Sequence, residues 1–370
     1  GGSVTALYLG RLNREFEVLS VPSDTTFTFS TDTTCTTGAV TGGGASISAA
    51  FQISIGFSFN ITGGGWGAGT WSRLTWGSPV ESTVSGISMR IWSVDNYGES
   101  LVFCTRDGPM YYWDATGGLT TRGVLLSSIA GATDVPGQNS IVRVTSDRHV
   151  LAIGTTDRVT TVFDPLLIRW SSQENYLDWT PRPDNTAGDL RVPAGSYVMA
   201  ALTTRQETLV WTDHSLHSVQ FQGPPFIFGI QTVAENTNII GPNAAVNVNN
   251  VTYWMGRDRF WVYSGRMEAL PCSVQRYVFG RINNAQAAQV YAAVNDAFTE
   301  VTWFYPSEDA TDNDSYVTYN YGENVWTYGS LSRTAWVMCP GRNNLPYACT
   351  AGDDDDGILL IHEVGYSDGS

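Results

Sequence analysis

Two acidic clusters in the last quarter of the chain are the first candidates for chemistry. Their carboxylates are Glu308, Asp309, Asp312 and Asp314 in one predicted loop, and Asp353, Asp354, Asp355 and Asp356 before Gly357 in another. Closely spaced carboxylates next to a glycine can hold Ca²⁺. Neither loop has the spacing of an EF-hand, because the glutamate at the twelfth loop position is absent. We interpret both as solvated hairpin tips and expect no metal site.

Paired carboxylates can also serve glycoside hydrolysis, and some propellers host that reaction. The segment 93–98 reads SVDNYG and resembles the Asp-box of sialidase propellers. It has one residue too many before the glycine, and it occurs only once. We therefore predict that Asp95 and Gly98 are turn residues and have no catalytic role.

Other catalytic and cofactor patterns are weak in this sequence. His214 and His217 are two of only four histidines. In a strand, residues three apart face opposite sides, so this pair does not share a metal unless a turn intervenes. The glycine-rich segment Gly63–Gly69 contains no lysine for a phosphate loop, and no nucleophile elbow is present. We expect no catalytic residue, no cofactor and no enzymatic activity.

The composition describes an acidic, aromatic-rich chain of 370 residues. Its net charge is −15, aromatic residues make up 12%, and all 20 basic residues are arginine. This charge opposes binding to phosphate backbones or anionic lipid. The absence of lysine fits either rigid arginine-mediated interfaces or a compositional bias of the source genome. Five scattered cysteines without a C-x-x-C motif predict buried free thiols rather than disulfides or zinc: Cys35, Cys104, Cys272, Cys339 and Cys349.

The termini and hydropathy give two further expectations. No apolar run approaches the ~18–20 residues of a membrane helix, so we expect no membrane span. The chain begins Gly1-Gly2-Ser3 without a methionine or a signal peptide. We expect that an N-terminal part of a longer protein precedes it.

One supersecondary unit recurs along most of the chain. It consists of an apolar strand, a polar turn and a second strand rich in aromatic residues, as in 100–113 (SLVFC, RDG, MYYW). A further strand precedes some copies, at 89–94 and 197–202. Copies start about 43–59 residues apart, close to the ~40–50 residues of a propeller blade. The six copies start at Ser100, His149, Thr208, Val251, Glu300 and Tyr347.

This period predicts an all-β protein, a β-propeller of six or seven blades, over residues 51–370. An array of β-sandwiches is the alternative, but each sandwich needs ~100 residues. One short amphipathic helix is predicted near Asn284–Gln289. Residues 1–50 differ, with alternating strands at 14–19 and 25–29 and a Thr/Gly/Ala-rich stretch from Thr31 to Ala49. We interpret them as the end of a small β-domain and a connector.

Several spaced motifs, in this order, resemble those of one protein family. They are 51–56 (FQISIG), 65–71 (GWGAGTW), 75–77 (TWG), 91–99 (IWSVDNYGE), 111–114 (YYWD), 168–175 (IRWSSQEN) and 178–180 (DWT). Together they resemble the packaged-DNA stabilisation and tail nozzle (tail tubular B-like) proteins of short-tailed bacteriophages. The resemblance covers about residues 50–366 and is strongest before residue 200. Residues 13–16 (NREF) also resemble the end of the small β-domain that such proteins carry.

The resemblance implies a structural virion protein in the phage tail, assembled in the host cytoplasm. It implies that six copies of this chain form a ring, and that the adaptor or portal and the tail fibre or distal tail proteins are its partners. Double-stranded DNA would pass through the channel without sequence-specific binding. We expect the acidic loops 308–314 and 353–356 to line or rim this lumen, since a channel in which DNA slides should not bind it. The alternatives are a propeller that binds or hydrolyses host glycan, and a secreted calcium-stabilised adhesin.

Overall fold

The computed structural model describes residues 18–23, 26–29, 56, 58–60, 88–339, 343–350 and 358–365. The predicted connector 31–49, the glycine- and tryptophan-rich segment 63–77 and the acidic cluster 353–356 lie outside the described residues. The chain divides into two compact units, Gly1–Ile55 and Gly56–Ser370.

In the first unit, the described residues form one antiparallel hairpin. Its strands are β1 (Val18–Ser23) and β2 (Thr26–Phe29). Hydroxyl groups pair across it, with 2.6 Å between Ser20 Oγ and Thr28 Oγ1. The two strands predicted for this region are confirmed in type, and the first continues to Ser23.

The second unit contains successive antiparallel sheets, which we call blades 1 to 6. Blade 1 consists of β3 (Trp92–Tyr97), β4 (Ser100–Thr105), β5 (Met110–Trp113) and β6 (Val124–Leu125). Blade 2 consists of β7 (Asn139–Val144), β8 (Val150–Thr156), β9 (Phe163–Trp170) and β10 (Gly188–Arg191). Blade 3 consists of β11 (Val198–Thr203), β12 (Thr208–Thr212), β13 (Ser215–Gly223) and β14 (Ile227–Glu235).

The remaining blades follow the same order. Blade 4 consists of β15 (Ala245–Val248), β16 (Val251–Met255), β17 (Phe260–Tyr263) and β18 (Met267–Leu270). Blade 5 consists of β19 (Tyr291–Asn295), β20 (Glu300–Tyr305), β21 (Ser315–Asn320) and β22 (Val325–Ser330). Blade 6 has three strands among the described residues, β23 (Ala335–Met338), β24 (Pro346–Cys349) and β25 (Leu359–Ile361).

The strands of each blade pair in chain order, so every blade is a meander. The first strands of successive blades contact one another, from β3 through β7, β11, β15 and β19 to β23. These first strands therefore surround a common axis, and the later strands lie farther out. The second unit is a β-propeller with six blades among its described residues, as the period predicted.

Each copy of the predicted strand–turn–strand unit corresponds to the second and third strands of one blade. The second strands are mainly apolar because most of their side chains are buried between blades. Trp211, Trp254 and Trp303 are completely buried on these strands in blades 3, 4 and 5. The rings of Trp211 and Trp254 are 5.5 Å apart across the seam between their blades. The Trp303 indole donates to the carbonyl of Ala244 in the neighbouring connection at 3.1 Å.

The meander places the connections on two faces of the propeller. We call one of them the upper face; it carries the links from one blade to the next and the connections between second and third strands. The turns between first and second strands and between third and fourth strands lie on the opposite, lower face. The longest link between blades joins blades 4 and 5. It contains α1 (Gln275–Phe279) and a 3-10 helix at Asn284–Gln289, where a short helix was predicted. Among the described residues, no helix has the length and hydropathy needed to cross a membrane.

The prediction of a turn at Asp95–Gly98 is wrong for Asp95. Strand β3 continues to Tyr97, and the turn consists of Gly98 and Glu99. Gly98 has a φ of +72°, which allows so short a turn. Asp95 stays extended because its carboxylate accepts hydrogen bonds from the amides of Asn96 and Val144, the latter in blade 2.

Candidate functional site

The predicted acidic loop 308–314 joins β20 and β21 on the upper face of blade 5. Asp314 closes the loop, since its Oδ1 accepts from the Ser307 amide at 2.8 Å and its Oδ2 from the Ser307 hydroxyl at 2.5 Å. Asp312 and Asp314 are half-buried, whereas Glu308 and Asp309 are exposed. Two of the four predicted carboxylates therefore point into solvent, and Asp314 has a structural role.

This loop differs in charge from the other described connections between second and third strands. The connections of blades 1 to 4 each combine an acidic with a basic residue: Arg106–Asp107, Asp157–Arg158, Asp213–His214 and Asp258–Arg259. The connection of blade 5 contains four carboxylates and no basic residue. We call Glu308, Asp309, Asp312 and Asp314 the acidic sector. Within the described part of the chain, no three His, Cys, Asp or Glu side chains are grouped as metal ligands.

The two histidines near residue 215 lie in different environments. His214 is exposed in the turn before β13, and its Nδ1 is 3.2 Å from the Asp213 carboxylate. His217 is completely buried in β13, with its Nε2 2.8 Å from the Ser215 hydroxyl. Burial lowers the pKa of His217. The two rings have separate hydrogen-bond partners.

The four described cysteines are free thiols. Cys104 is buried in β4, as predicted, and burial raises the pKa of its thiol to about 12. The prediction of burial is wrong for Cys272, Cys339 and Cys349, which are half-buried. These three lie at or near the ends of strands β18, β23 and β24.

Arg143 lies at the axis of the propeller, on the first strand of blade 2. Its guanidinium donates to the Ser93 hydroxyl in blade 1 at 2.8 Å and to the Ala201 carbonyl in blade 3 at 2.9 Å. Burial lowers the pKa of Arg143. On the opposite side, burial raises the pKa of Tyr291 in blade 5, and the positive charge of Arg143 counteracts this shift. Arg143 therefore joins blades 1, 2 and 3 at the axis, and its charge also acts on Tyr291 of blade 5.

A polar cleft of about 290 Å³ lies between blades 3 and 4. Ser218 and Gln220 of β13 line one side and Tyr263 of β17 the other. The Glu207 carboxylate accepts hydrogen bonds from the Ser218 hydroxyl and from Gln220 Nε2. Burial and this carboxylate raise the pKa of Tyr263 to about 12. The cleft thus presents amide and hydroxyl groups and the Arg266 side chain, a set that binds polar, hydroxyl-bearing ligands.

Neither the axial arginine nor this cleft was predicted from the sequence. Arg143 stands in the segment SIVRV, which reads as an ordinary strand. Glu207 follows Arg205 in a polar turn and carries no motif. Arg143 and Glu207 acquire their hydrogen-bond partners only when separate strands and blades pack together.

Comparison with known proteins gives no family assignment. No family model and no curated protein match the chain. Hsv2p of Kluyveromyces lactis matches with a TM-score of 0.38 and 10% identity, over 70% of this chain and 71% of its own. An apocarotenoid oxygenase variant from Synechocystis matches with 0.38 and 9%, over 70% and 65%. The extracellular domain of a hybrid two-component system from B. thetaiotaomicron matches with 0.41 and 8%, over 69% and 32%.

Similarity at this level carries no argument about function. The six meanders around one axis define the class of protein, a β-propeller, by themselves.

Proposed function

We propose that this propeller is a structural protein of a virion. In this proposal six copies form a ring in the tail of a short-tailed bacteriophage, and the ring retains packaged DNA and conducts it at ejection. The protein acts without catalysis and without a cofactor, and its partners are further tail proteins. Motifs spaced in one order over about residues 50–366 support this role.

The acidic sector is the structural observation that supports a DNA passage. DNA slides most freely along a wall that offers its phosphates no cations, because contacts with arginine release counterions and favour binding. The blade 5 connection carries four carboxylates and no basic residue. A ring that turns this sector of each copy inward would have an acidic lumen.

The axis of the propeller itself is a poor passage for DNA. Arg143 bridges blades 1 and 3 there, and its positive charge would attract phosphate. The proposed passage is therefore the centre of the ring of subunits. Blades 1 and 2 would then lie away from the lumen and blade 5 near it.

Electron microscopy of the purified protein and of the phage particle tests the proposal. We expect a closed six-fold ring on the tail axis with the acidic sector at the lumen. A protein that stays monomeric at high concentration and hydrolyses a polysaccharide would refute the proposal. A ring with Glu308 and Asp309 on its outer surface would refute the role of the sector alone.

Two variants test the charge of the acidic sector separately from assembly of the ring. The double variant Glu308→Gln/Asp309→Asn removes the two exposed carboxylates, and Glu323→Gln removes a carboxylate from the lower face of the same blade. We expect the unmodified protein and both variants to form the ring. Only the double variant should bind duplex DNA more tightly than the unmodified protein at low salt. Equal DNA binding by the double variant and by Glu323→Gln would contradict a lumenal sector.

The cleft between blades 3 and 4 supports a second candidate function, glycan binding. Its volume of about 290 Å³ is near the lower end of ligand pockets, which begin at ~300 Å³. The amide and hydroxyl groups that line it suit the hydroxyls of a sugar. Binding of a soluble glycan that is lost in Gln220→Ala would favour this function, and a glycan screen without such binding would exclude it.

A further inference from the structure

The seam between blades 5 and 6 contains a group of oxygen atoms with little positive charge around them. Asn295 ends β19, Glu300 begins β20, and the two are partners in the β-ladder. Glu363 follows β25 of blade 6, and its Oε1 accepts from Asn295 Nδ2 at 3.1 Å. All three residues lie on the lower face. The structure thus brings together two carboxylates and one amide that are far apart in sequence.

The amide oxygen of Asn295 is the unusual member of this group. The side chain is 94% buried, as only 6% of the residue is exposed, and Oδ1 has no hydrogen-bond partner. A buried carbonyl oxygen without a partner costs ~1–3 kcal/mol. Its Nδ2 already faces Glu363, so the bare oxygen belongs to the same group as that carboxylate. An electropositive ligand at this position would satisfy it.

The two carboxylates are also incompletely compensated. Burial raises the pKa of Glu300, and repulsion by Glu363 raises it further. Among the described residues, the ion pairs that form involve neither glutamate. Two carboxylates and an unpartnered carbonyl oxygen therefore lie at one seam, and no ion pair among the described residues neutralises the carboxylates.

We propose that Asn295 Oδ1 and the carboxylates of Glu300 and Glu363 bind a Ca²⁺ ion that joins blades 5 and 6. Carboxylate and amide oxygens are the ligands that Ca²⁺ prefers, and water completes its six to eight positions. With three protein side chains, the dissociation constant should lie in the weak range, ~10⁻⁴–10⁻³ M. This site is separate from the acidic sector, which is on the upper face.

Two hydrogen bonds join blades 5 and 6 next to this site, so its side chains are held in place before an ion binds. The Trp336 indole of blade 6 donates to the Val294 carbonyl of blade 5 at 2.9 Å, one residue before Asn295. The Tyr291 hydroxyl donates to the Trp336 carbonyl at 3.1 Å. Trp336 contacts the main chain one residue before Asn295, so it is the tryptophan expected to sensitise a lanthanide at the site.

Calorimetric titration of the full chain with CaCl₂ tests the proposal, and Tb³⁺ luminescence excited through tryptophan reports on the same position. We expect binding of one Ca²⁺ and a rise in Tm of about 2–4 °C at a tenfold excess over the dissociation constant. Glu363→Gln and Glu300→Gln should each weaken binding at least about tenfold. The control variants Glu323→Gln and Glu308→Gln should stay within about twofold of the unmodified protein.

A measurement in EDTA separates this role from a purely structural one. Without cation, Glu363→Gln keeps an oxygen for Asn295 Nδ2 and removes the repulsion with Glu300. We expect it to melt at the same or a higher temperature than the unmodified protein in EDTA, and at a lower one in Ca²⁺. The proposal is overturned if the protein binds no Ca²⁺ up to about 10 mM, or if Glu363→Gln binds it as the unmodified protein does.

Discussion

His149 makes the stability of the propeller depend on pH. It precedes β8 and is completely buried between blades 2 and 3. The Phe228 and Phe221 rings lie 5.0 and 5.6 Å from the imidazole, and Nε2 is 3.1 Å from the Thr186 hydroxyl. Nδ1 is buried without a partner, so a second proton on this ring would have no acceptor. Burial lowers the pKa of His149 to about 4.

The sign and size of the effect follow from proton linkage. In the unfolded chain the pKa of histidine is ~6.5, so the unfolded state binds the proton first as the pH falls. The contribution of His149 is fully present above about pH 6.5 and is lost as the pH falls from there towards 4. Each pKa unit corresponds to ~1.4 kcal/mol, so the total loss is about 3 kcal/mol. About 2 kcal/mol of it falls between pH 7.5 and pH 5.

The variant His149→Phe isolates this contribution. Phenylalanine keeps an aromatic ring between Phe221 and Phe228 but cannot be protonated. We expect the free energy of unfolding of this variant, relative to the unmodified protein, to rise by about 2 kcal/mol from pH 7.5 to pH 5. Urea unfolding at several pH values, followed by tryptophan fluorescence, measures the difference. The variant His214→Gln, which removes an exposed histidine, is measured alongside as the comparison for a loss outside the core.

Parallel stability profiles would refute this reasoning. If His149→Phe and the unmodified protein lose stability equally between pH 7.5 and pH 5, the imidazole is protonated in the folded state. Such a result would mean that water or a carboxylate reaches Nδ1. Asp147, two residues earlier, is the nearest candidate, because its charge already opposes the lowering of the pKa of His149.

Other substitutions test the axis, the core and the thiols. Arg143→Ala should lower the free energy of unfolding by about 1–3 kcal/mol in urea titrations, because the Ala201 carbonyl loses its charged donor; Arg205→Ala, at an exposed turn, is the control. Trp303→Ala should cost about 3–5 kcal/mol, seen as a lower Tm by circular dichroism. Gly195→Ala should cost about 2–3 kcal/mol in the same assay, since φ is +116° and a Cβ would lie 2.5 Å from that of Thr212. Cys104 should react with a thiol reagent only after unfolding, as mass spectrometry of labelled peptides would show.

Three of these expectations have a contrary outcome that would refute them. Unchanged stability of Arg143→Ala would mean that the hydrogen bonds of the guanidinium only offset its burial. A loss below about 1 kcal/mol in Trp303→Ala would indicate that neighbouring blades close the cavity. Fast labelling of Cys104 in the folded protein would show that blade 1 opens readily.

The sequence predicts the middle of every blade because the second strands are mainly apolar and the third strands carry aromatic or aliphatic residues. The run Thr208–Trp211 is an example, and all of β12 is buried. The outer strands give weaker signals. Strand β6 has only two residues, and β10 alternates between half-buried and exposed positions. Their pairing depends on the strand beside them more than on their own composition.

The candidate sites were less predictable than the fold, for a physical reason. An acidic loop is visible in the sequence because its charges are neighbours in the chain. The group of Asn295, Glu300 and Glu363 is not, since 63 positions separate the two glutamates. Arg143 likewise gains its role only where three blades meet. Side chains that act across a seam have no local signature.

The pairing of strands in chain order has a consequence for how this protein folds and opens. Every ladder in the propeller joins strands that are adjacent in the sequence, so each blade can form from local contacts, which favours fast folding. The seams between blades then join units that are already ordered. We expect amide hydrogens to exchange in groups that correspond to single blades. Blade 6, with three strands among the described residues, should exchange first.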